Sequence, residues 1–267
     1  DWSSDVCSSD LSPDAIRRFI DQTNPDIIIN PAAYTAVDKA ESEPDLAYQI
    51  NTIAPEVLAE KATELDIPLI HFSTDYVFDG LKKKSYLETD PTNPQSVYGK
   101  TKCEGEEKIR KHSKHIILRT SWVFGSHGNN FLKTMLRLMK EKDSLHIVSD
   151  QCGSPASASM LSDVTLNIVD IISKNKNFND YGTYHVTSDG ETNWFEYASL
   201  IARELVKLNV KVKCAPDKIH PILTSEYPTA AKRPLNSRLN CDKLKKTFML
   251  ELPHWESEVK KVLREVI

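Results

Sequence analysis

Hydrophobic and polar positions follow two different periods along the chain. Short apolar runs, such as residues 27–29 and 116–118, are separated by longer segments whose apolar side chains recur every three or four positions. The short runs predict buried strands, and the longer segments predict amphipathic helices. Strands that alternate with such helices are typical of βαβ units, so the pattern predicts an α/β protein with a parallel sheet.

The individual elements follow from these periods and from the residues that interrupt them. Strands are predicted at residues 27–29, 68–72, 115–121, 145–148, 181–187 and 210–214. Helices are predicted to begin at Ser12-Pro13, where a capping residue precedes a proline, and to cover about residues 54–65, 96–111, 130–142, 158–172, 194–208 and 256–267. Residues 216–234 are rich in proline and are predicted as a loop region within a smaller C-terminal lobe.

Residues 1–11 differ from the rest of the chain. They contain Ser-Ser-Asp twice and show neither a helix period nor a strand period. They also lack the basic region and the apolar region of a signal peptide. We interpret this segment as a non-native or disordered tail, and the absence of an initiator methionine fits a truncated reading frame.

The composition limits the class of function. The chain has 267 residues, a mass of 30.2 kDa and a net charge of −4 at pH 7, with a pI near 6.1. That charge argues against nucleic acid or a membrane surface as a partner, and no apolar run is long enough for a membrane helix. The five cysteines are widely spaced without a Cys-x-x-Cys pair, which argues against a disulfide framework or a metal cluster and fits the cytoplasm.

The strongest local signal for chemistry is the segment Tyr98-Gly99-Lys100-Thr101-Lys102. Tyr98 and Lys102 are four positions apart, so a helix places them on one face. A phenol is a poor acid at neutral pH, but a neighbouring ammonium is expected to lower the pKa of Tyr98. Such a pair can protonate a carbonyl oxygen while a hydride reaches its carbon. The same spacing also arises by chance at exposed helix starts, so the pair alone leaves both interpretations open.

Two of the predicted strands are followed by polar or small residues. Thr74 and Asp75 follow the strand at 68–72, where their side chains could hold a substrate carbonyl and a substrate hydroxyl. The small residues within 30–35 follow the strand at 27–29 and would let a ligand approach the backbone. Ligands of open α/β sheets bind beyond the carboxyl ends of the strands. An ordinary strand-to-loop cap and tight helix packing are the alternative interpretations.

Together, these segments resemble the extended short-chain dehydrogenase/reductase superfamily, and within it the dTDP-4-dehydrorhamnose reductase family. The resemblance extends from about residue 12 to the C-terminus and rests on residues 30–35, 37–41, 73–80, 98–102, 105–106, 119–124, 129–131, 150–151, 153–155, 227–229 and 233–237. It implies a Rossmann-like, doubly wound parallel sheet. Residues 12–150 would form the dinucleotide-binding domain. Residues 151–267 would combine a substrate lobe with elements that return to the main sheet.

The resemblance also implies roles for individual residues. Tyr98 would donate a proton to the C4 oxygen of a sugar, Lys102 would lower the pKa of Tyr98 and bind the nicotinamide ribose, and Thr74 would complete the catalytic triad. Besides Tyr98 and Lys102, the residues implied in binding NADPH or NADH are Ala32, Ala33, Tyr34 and Thr35. The residues implied in binding the nucleotide sugar are Thr74, Asp75, Trp122 and Arg233, with the Arg233 guanidinium at the diphosphate.

The implied reaction is the NAD(P)H-dependent reduction of the C4 keto group of dTDP-4-dehydro-6-deoxy-L-mannose to dTDP-L-rhamnose, in nucleotide-sugar and cell-surface polysaccharide synthesis. Related dehydratases carry an acidic residue after the position of Asp75, whereas Tyr76 stands here and favours simple reduction. Two alternatives stay open: a reductase of another nucleotide-4-keto sugar, and a non-catalytic regulatory subunit similar to the β subunit of methionine adenosyltransferase. The resemblance alone implies a homodimer and bound magnesium. The sequence shows no cluster of ligand residues for the magnesium.

The sequence departs from the family at its start. The family opens with a strand and a Gly-x-x-Gly-x-x-Gly turn that holds the cofactor diphosphate, but the eight glycines here never have that spacing. We therefore expect the first βαβ unit to be missing and this chain to bind the cofactor poorly. The choice between NADH and NADPH is normally made after the second strand, which is expected to be missing as well.

Overall fold

The computed structural model describes residues 12–267. Its strands form one four-stranded sheet and three short strand pairs. The strands are β1 (Ile28–Asn30), β2 (Leu69–Thr74), β3 (His115–Thr120), β4 (Val123–Phe124), β5 (Leu145–Val148), β6 (Cys152–Gly153), β7 (Ala156–Ser157), β8 (Gly182–His185), β9 (Thr192–Asn193) and β10 (Ile219–Ile222). The central sheet has the order β1-β2-β3-β8, and its four strands are parallel. The predicted tail at residues 1–11 lies outside the described residues.

Helices connect the strands and pack on the sheets. They are α1 (Pro13–Thr23), α2 (Val37–Ala40), α3 (Pro44–Tyr48), α4 (Ala54–Glu64), α5 (Val97–Ile109), α6 (Phe131–Glu141), α7 (Ala158–Lys174), α8 (Trp194–Lys207), α9 (Asp242–Phe248) and α10 (Trp255–Val266). A π-helical turn covers Gln49–Ile53 and a 3₁₀ turn covers Asp75–Val77. Several helices begin at a side chain that accepts a backbone N–H, as is usual at helix starts: Ser12, Ser96, Asn130, Ser157 and Asn193.

Alternating side chains of the central sheet pack on opposite faces. Leu69 and Ile117 join a cluster with α1, α4 and α5, whereas Ile70, Ile116 and Leu118 join a cluster with α7 and α9. A parallel sheet that is buried on both faces requires apolar residues in both of these alternating sets. This arrangement confirms the predicted Rossmann-like, doubly wound fold.

A second apolar core lies between β5, β10 and the helices α6, α8 and α10. β5 and β10 pair in parallel, and α8 packs on both strands. Because α6 and β5 precede residue 150 and the other elements follow it, this core draws on both sides of the predicted boundary. β8 follows residue 150 and joins the central sheet. The division into residues 12–150 and 151–267 stays a prediction.

Most predicted elements are present, with ends within two residues of the predicted positions. The prediction of a strand at 210–214 is wrong. Val210 and Val212 pack against the second core, while the backbone N–H groups of Lys213 and Cys214 both donate to the carbonyl of Met139. An apolar loop that packs on a core has the same alternation as a strand, so the pattern could not separate the two. Conversely, part of the predicted loop at 216–234 forms β10, because it pairs with β5.

Residues 12–267 were compared with the requirements for a membrane span, a metal site and a disulfide. No helix there is both long enough and apolar enough to cross a membrane. No group of three or more His, Cys, Asp or Glu side chains in this part of the chain is arranged to hold a metal ion, and magnesium stays an expectation from the resemblance. The cysteines at 103, 152, 214 and 241 are free thiols.

A buried ion pair joins α5 to the central sheet. Arg119 of β3 donates through Nε to Glu106 Oε1 at 2.8 Å and through Nη2 to Glu106 Oε2 at 2.6 Å. Both side chains are at most 1% exposed. Arg110 donates to the same carboxylate from just beyond the end of α5. Since a bidentate pair fixes the orientation of both partners, this contact sets the rotation of α5 relative to the strands.

We expect Arg119→Met to lower the free energy of unfolding by about 3–5 kcal/mol, because it leaves the buried Glu106 without its main partner. Urea unfolding followed by circular dichroism measures this change. Arg137→Met is the matched control, since Arg137 and Glu141 form an exposed pair on α6 whose loss costs about 0.3–0.5 kcal/mol. Equal losses in the two variants would contradict the role given to the buried pair.

Candidate active site

A cavity of about 470 Å³ lies at the carboxyl ends of β1, β2 and β3, between α5 and α7. Its walls are mainly apolar and include Ile29, Phe72 and Leu161. Tyr98 and Lys102 of α5 face the same space. An apolar cavity with a few convergent polar groups is the usual form of a small-molecule site. The position also matches the edge of an open α/β sheet where ligands bind.

Two glycines allow α5 to lie close to the loops around this cavity. A β-carbon on Gly99 would stand 2.3 Å from the carbonyl oxygen of Tyr76, and one on Gly105 would stand 2.1 Å from that of Asn51. Ser96 caps the helix by accepting the N–H of Gly99 at 3.1 Å. The close approach and the cap together direct the first turn of α5 at the cavity.

Tyr98 and Thr74, both predicted to be catalytic, are brought together by α5 and the end of β2. Thr74 Oγ1 donates to Asp75 Oδ1 at 3.1 Å and accepts from the backbone N–H of Tyr76 at 3.2 Å. Burial raises the pKa of Tyr98 well above its ordinary value, and hydrogen bonding with Thr74 opposes that rise in part. The phenol therefore keeps its proton at neutral pH and is available as an acid.

The pKa of Tyr98 is raised in this structure and not lowered, contrary to the expectation for a phenol beside Lys102. Lys102 Nζ donates to the carbonyl of Phe72 at 2.7 Å and lies 3.1 Å from His71 Nε2, so β2 engages the amine. Burial lowers the pKa of Lys102 to about 8, and the nearby Glu106 raises it in part. Desolvation of the phenol thus outweighs any effect of the amine, whose charge is lost just above neutral pH.

Asp75 is a completely buried carboxyl group beside Thr74. Its Oδ2 atom has no hydrogen-bond partner within the part of the chain that the structure describes. Burial raises the pKa of Asp75 to about 6, while hydrogen bonds with Ser237 and Thr74 lower it in part. A carboxyl group that titrates near pH 6 can accept a hydrogen bond from a ligand hydroxyl or donate one to it.

The loop after β1 places two of its four predicted cofactor residues at the cavity. Among residues 32–35, Ala33 and Thr35 line it. The other two support the loop, because their backbone N–H groups donate to Asn30 Oδ1 at 3.1 Å and to Asn51 Oδ1 at 2.8 Å. The loop is therefore held by side-chain amides and leaves small groups on the cavity side.

Trp122 lies beyond the cavity lining, in a stack with Trp194. The ring centres are 3.7 Å apart, and the backbone of Trp122 has a φ of 49°, which is uncommon for a large residue. A β-carbon on Gly153 would come within 2.8 Å of the indole. The stack and the glycine together fix the indole in place.

Arg233 also lies outside the cavity lining, and its charge is already paired. Its Nη2 atom donates to Asp38 Oδ2 at 2.5 Å, and its Nη1 atom donates to the hydroxyl of Tyr76 at 3.2 Å. Asp38 additionally accepts the N–H of Ala231 at 3.0 Å. These contacts attach the loop around Arg233 to α2, next to the loop that carries Thr74.

Known proteins are similar to this chain over nearly its whole length. A family model described as the RmlD substrate binding domain matches residues 6–267. The dTDP-4-dehydrorhamnose reductase of Escherichia coli K12 is 43% identical over 265 residues, which cover 99% of this chain and 87% of that protein. This chain belongs to the dTDP-4-dehydrorhamnose reductase family.

Solved structures of dTDP-4-dehydrorhamnose reductases have the same fold. The protein from Clostridium acetobutylicum has a TM-score of 0.87 at 38% identity, and the match covers 96% of this chain and 86% of that chain. The protein from Bacillus anthracis, solved in complex with NADP, has a TM-score of 0.82 at 36% identity and the same coverage. The resemblance to the family is therefore confirmed over nearly the whole chain.

Two side chains of the dTDP-4-dehydrorhamnose reductase fold at this site were missed by sequence reasoning. His71 is completely buried and touches Lys102. The sequence feature that could have identified it is a histidine within an otherwise apolar strand start. Asn51 holds both the N–H and the carbonyl of Tyr34 from the π-helical turn. No local pattern marks Asn51, because its contacts depend on how that turn packs on α5.

The raised pKa of Asp75 predicts a specific pH dependence of stability. A carboxyl group that titrates near 3.8 when unfolded and near 6 when folded contributes its full stabilisation below pH 3.8, and that contribution is lost as the pH rises through about 6. We expect Asp75→Asn to gain up to about 3 kcal/mol of unfolding free energy over the parent chain on going from about pH 4 to about pH 7. Urea unfolding at the two pH values measures the difference.

Asp143→Asn is the control for this experiment, because Asp143 is exposed. Its difference from the parent chain should be the same at both pH values. If the difference between Asp75→Asn and the parent chain were also independent of pH, Asp75 would titrate normally and the burial argument would be wrong.

Proposed function

We propose that this protein is an NAD(P)H-dependent reductase that converts dTDP-4-dehydro-6-deoxy-L-mannose to dTDP-L-rhamnose. The observation that carries the proposal is the arrangement of Tyr98 and Lys102 at one cavity, with Thr74 in contact with Tyr98, in a chain of this family. A protonated phenol beside a threonine hydroxyl is suited to give a proton to a ketone oxygen. The named relatives support the C4 ketone of this sugar nucleotide as the substrate.

The cavity fits the nicotinamide and ribose half of NAD(P)H. Ser73 Oγ and Thr120 Oγ1 belong to residues that line it, and neither has a hydrogen-bond partner among residues 12–267. Ala33, Thr35 and Lys102 would hold this half, which NADH and NADPH share. The Bacillus anthracis relative, solved with NADP, supports this use of the cavity. When bound, the cofactor supplies a hydride to the sugar carbon.

The protein residues supply the proton and hold the ketone. Tyr98 donates its phenolic proton to the C4 oxygen as negative charge develops there. Thr74, oriented by its contacts with Asp75 and the N–H of Tyr76, hydrogen-bonds to the same oxygen. Lys102 stabilises the resulting phenolate while it carries its charge. The raised pKa of Tyr98 keeps the phenol protonated until negative charge develops on the C4 oxygen.

Asp75, Trp122 and Arg233 are proposed to bind the nucleotide sugar. Asp75 would contact a sugar hydroxyl, and Trp122 would pack against the deoxysugar. The guanidinium of Arg233 suits a diphosphate, because two parallel N–H groups match two phosphate oxygens. The diphosphate would then replace Asp38, which accepts one hydrogen bond from Arg233.

Tyr76 favours reduction over dehydration. Dehydratases of related sugar nucleotides need an acidic residue at this position to move a proton. Burial raises the pKa of Tyr76 to about 12, and its hydroxyl accepts a hydrogen bond from Arg233. A phenol with that pKa is not ionised at neutral pH, so Tyr76 cannot act as the base that an acidic residue supplies in a dehydratase.

The assembly, the location and the domain roles are also proposals. The family resemblance supports a homodimer in the cytoplasm. The net charge of −4 gives no support for nucleic acid or an acidic membrane surface as a partner. Residues 12–150 are proposed to form the dinucleotide-binding domain, and residues 151–267 a substrate lobe together with elements that return to the main sheet.

The reductase activity is tested by the loss of NADPH absorbance in the presence of the dTDP-4-keto sugar. Tyr98→Phe removes the proton donor and keeps the ring, so kcat should fall about 10²- to 10⁴-fold. Tyr184→Phe is the matched control, because Tyr184 is buried in β8 outside the cavity and its hydroxyl donates to the carbonyl of Asp180. Its kcat should stay within about twofold of the parent value.

Because the cofactor diphosphate is expected to need a glycine-rich turn, the parent and both variants are also compared in a second protein, in which the first βαβ unit of the Escherichia coli relative precedes residue 12. This addition supplies the glycine-rich turn that the sequence does not contain. Turnover only with another nucleotide-4-keto sugar would change the substrate assignment. If the folded, extended protein turned over none of these sugars but bound a methionine adenosyltransferase subunit, the reductase proposal would be wrong.

A further inference from the structure

His71 is a completely buried histidine in β2 that no step of the proposed reaction uses. The register of the sheet places Asn30 of β1 directly beside it. Asn30 Nδ2 lies 3.0 Å from His71 Nδ1, and Lys102 Nζ lies 3.1 Å from His71 Nε2. Both ring nitrogens therefore face a nitrogen atom, which restricts where the protons can be.

The orientation of the Asn30 amide is fixed by the backbone. The N–H of Ala32 donates to Asn30 Oδ1 at 3.1 Å, so the NH₂ group of the amide must face His71. His71 Nδ1 accepts from that group and carries no proton. In a neutral imidazole the proton is then on Nε2, where it points at Lys102 Nζ.

We propose that His71 is a positioning residue for Lys102. The Nε2–H of His71 donates to the uncharged amine of Lys102 and so favours the form of Lys102 that has released a proton. An ammonium has only donors, so in this place it would bring N–H against N–H. The uncharged amine has one lone pair for His71 and still donates to the carbonyl of Phe72 at 2.7 Å. Asn30 acts one step further out, because it selects the tautomer of His71.

Burial and the nearby ionisable groups act on this amine in opposite directions. Tyr98 and Glu106 lie on its own helix, one turn to either side, and Arg119 of β3 pairs with Glu106. Burial and the nearby Lys102 hold the pKa of His71 well below its ordinary value, so the ring is neutral. Burial likewise lowers the pKa of Lys102, against the effect of Glu106.

The consequence for the reaction rests on the proposed function. With His71 in this tautomer, Lys102 carries its charge below about pH 8 and loses it above. The stabilisation of the Tyr98 phenolate should be lost over the same range. The alkaline limb of the pH–rate profile would then report the proton affinity of Lys102, to which His71 and Asn30 contribute besides burial and Glu106.

The tautomer is tested directly by ¹⁵N NMR on the chain without substrate or cofactor. The nitrogen shifts of His71 should show a protonated Nε2 and an unprotonated Nδ1 across the neutral range. The Lys102 Nζ resonance, followed over pH in the same sample, should titrate well below an ordinary lysine. This readout does not depend on catalytic activity, so failure of the proposed reductase function would leave it intact.

Asn30→Asp is the variant that separates this proposal from simple burial. One carboxylate oxygen can still accept from Ala32, while the other accepts from a protonated His71 Nδ1. The ring would then present a bare Nε2, which accepts from the Lys102 ammonium. We expect the Lys102 pKa, and the alkaline limb of an active protein, to rise by about one pH unit or more.

His71→Leu and the double variant control for the added charge. In His71→Leu, the Lys102 pKa should also rise, because the opposing N–H is gone. If Asn30→Asp acts through the tautomer, adding it to His71→Leu should change the Lys102 pKa little, whereas a direct charge effect would persist. A protonated Nδ1 in the parent chain, or a Lys102 pKa that Asn30→Asp raises equally with and without His71, would overturn the proposal.

Discussion

Helix α5 carries Tyr98, Lys102 and Glu106 at intervals of four residues, so one helix face presents the acid, the amine and an anchor. Glu106 is bound by Arg119 of β3 through two parallel hydrogen bonds in the interior. Gly105 lets the helix approach the backbone of Asn51 more closely than any side chain would allow. A rotation of α5 would move Tyr98 away from Thr74 and Lys102 away from β2, so the site depends on how this helix is held.

The burial that positions these groups also sets their protonation. Removing solvent favours the neutral form of each group, which raises the pKa of Tyr98 and Asp75 and lowers that of Lys102. Burial raises the pKa of Glu106, but the hydrogen bonds and charge of Arg119, together with the charge of Arg110, lower it by more, so Glu106 keeps its charge. The fold therefore places its permanent charge pair under the site and leaves groups at the cavity that can exchange protons.

Much of this arrangement follows from sequence patterns because it is local. The strand and helix periods predicted the sheet, and the four-residue spacing of Tyr98 and Lys102 predicted their common face. The direction of the Lys102 amine could not be predicted from the local sequence, since it depends on the position of α5 over His71 and the carbonyl of Phe72. The role of His71 depends in turn on its register with Asn30 in the neighbouring strand. Charge pairing across such distances has no signature in one segment.

The central claim is that the site directs a hydride to C4 of the sugar nucleotide while Tyr98 protonates the oxygen. The most direct measurement uses cofactor deuterated at C4 of the nicotinamide and locates the label in the product by NMR. The account predicts one deuterium on C4 of a dTDP-linked sugar with the rhamnose configuration. A product that lacks the label at C4, or carries it at another carbon, would contradict the account.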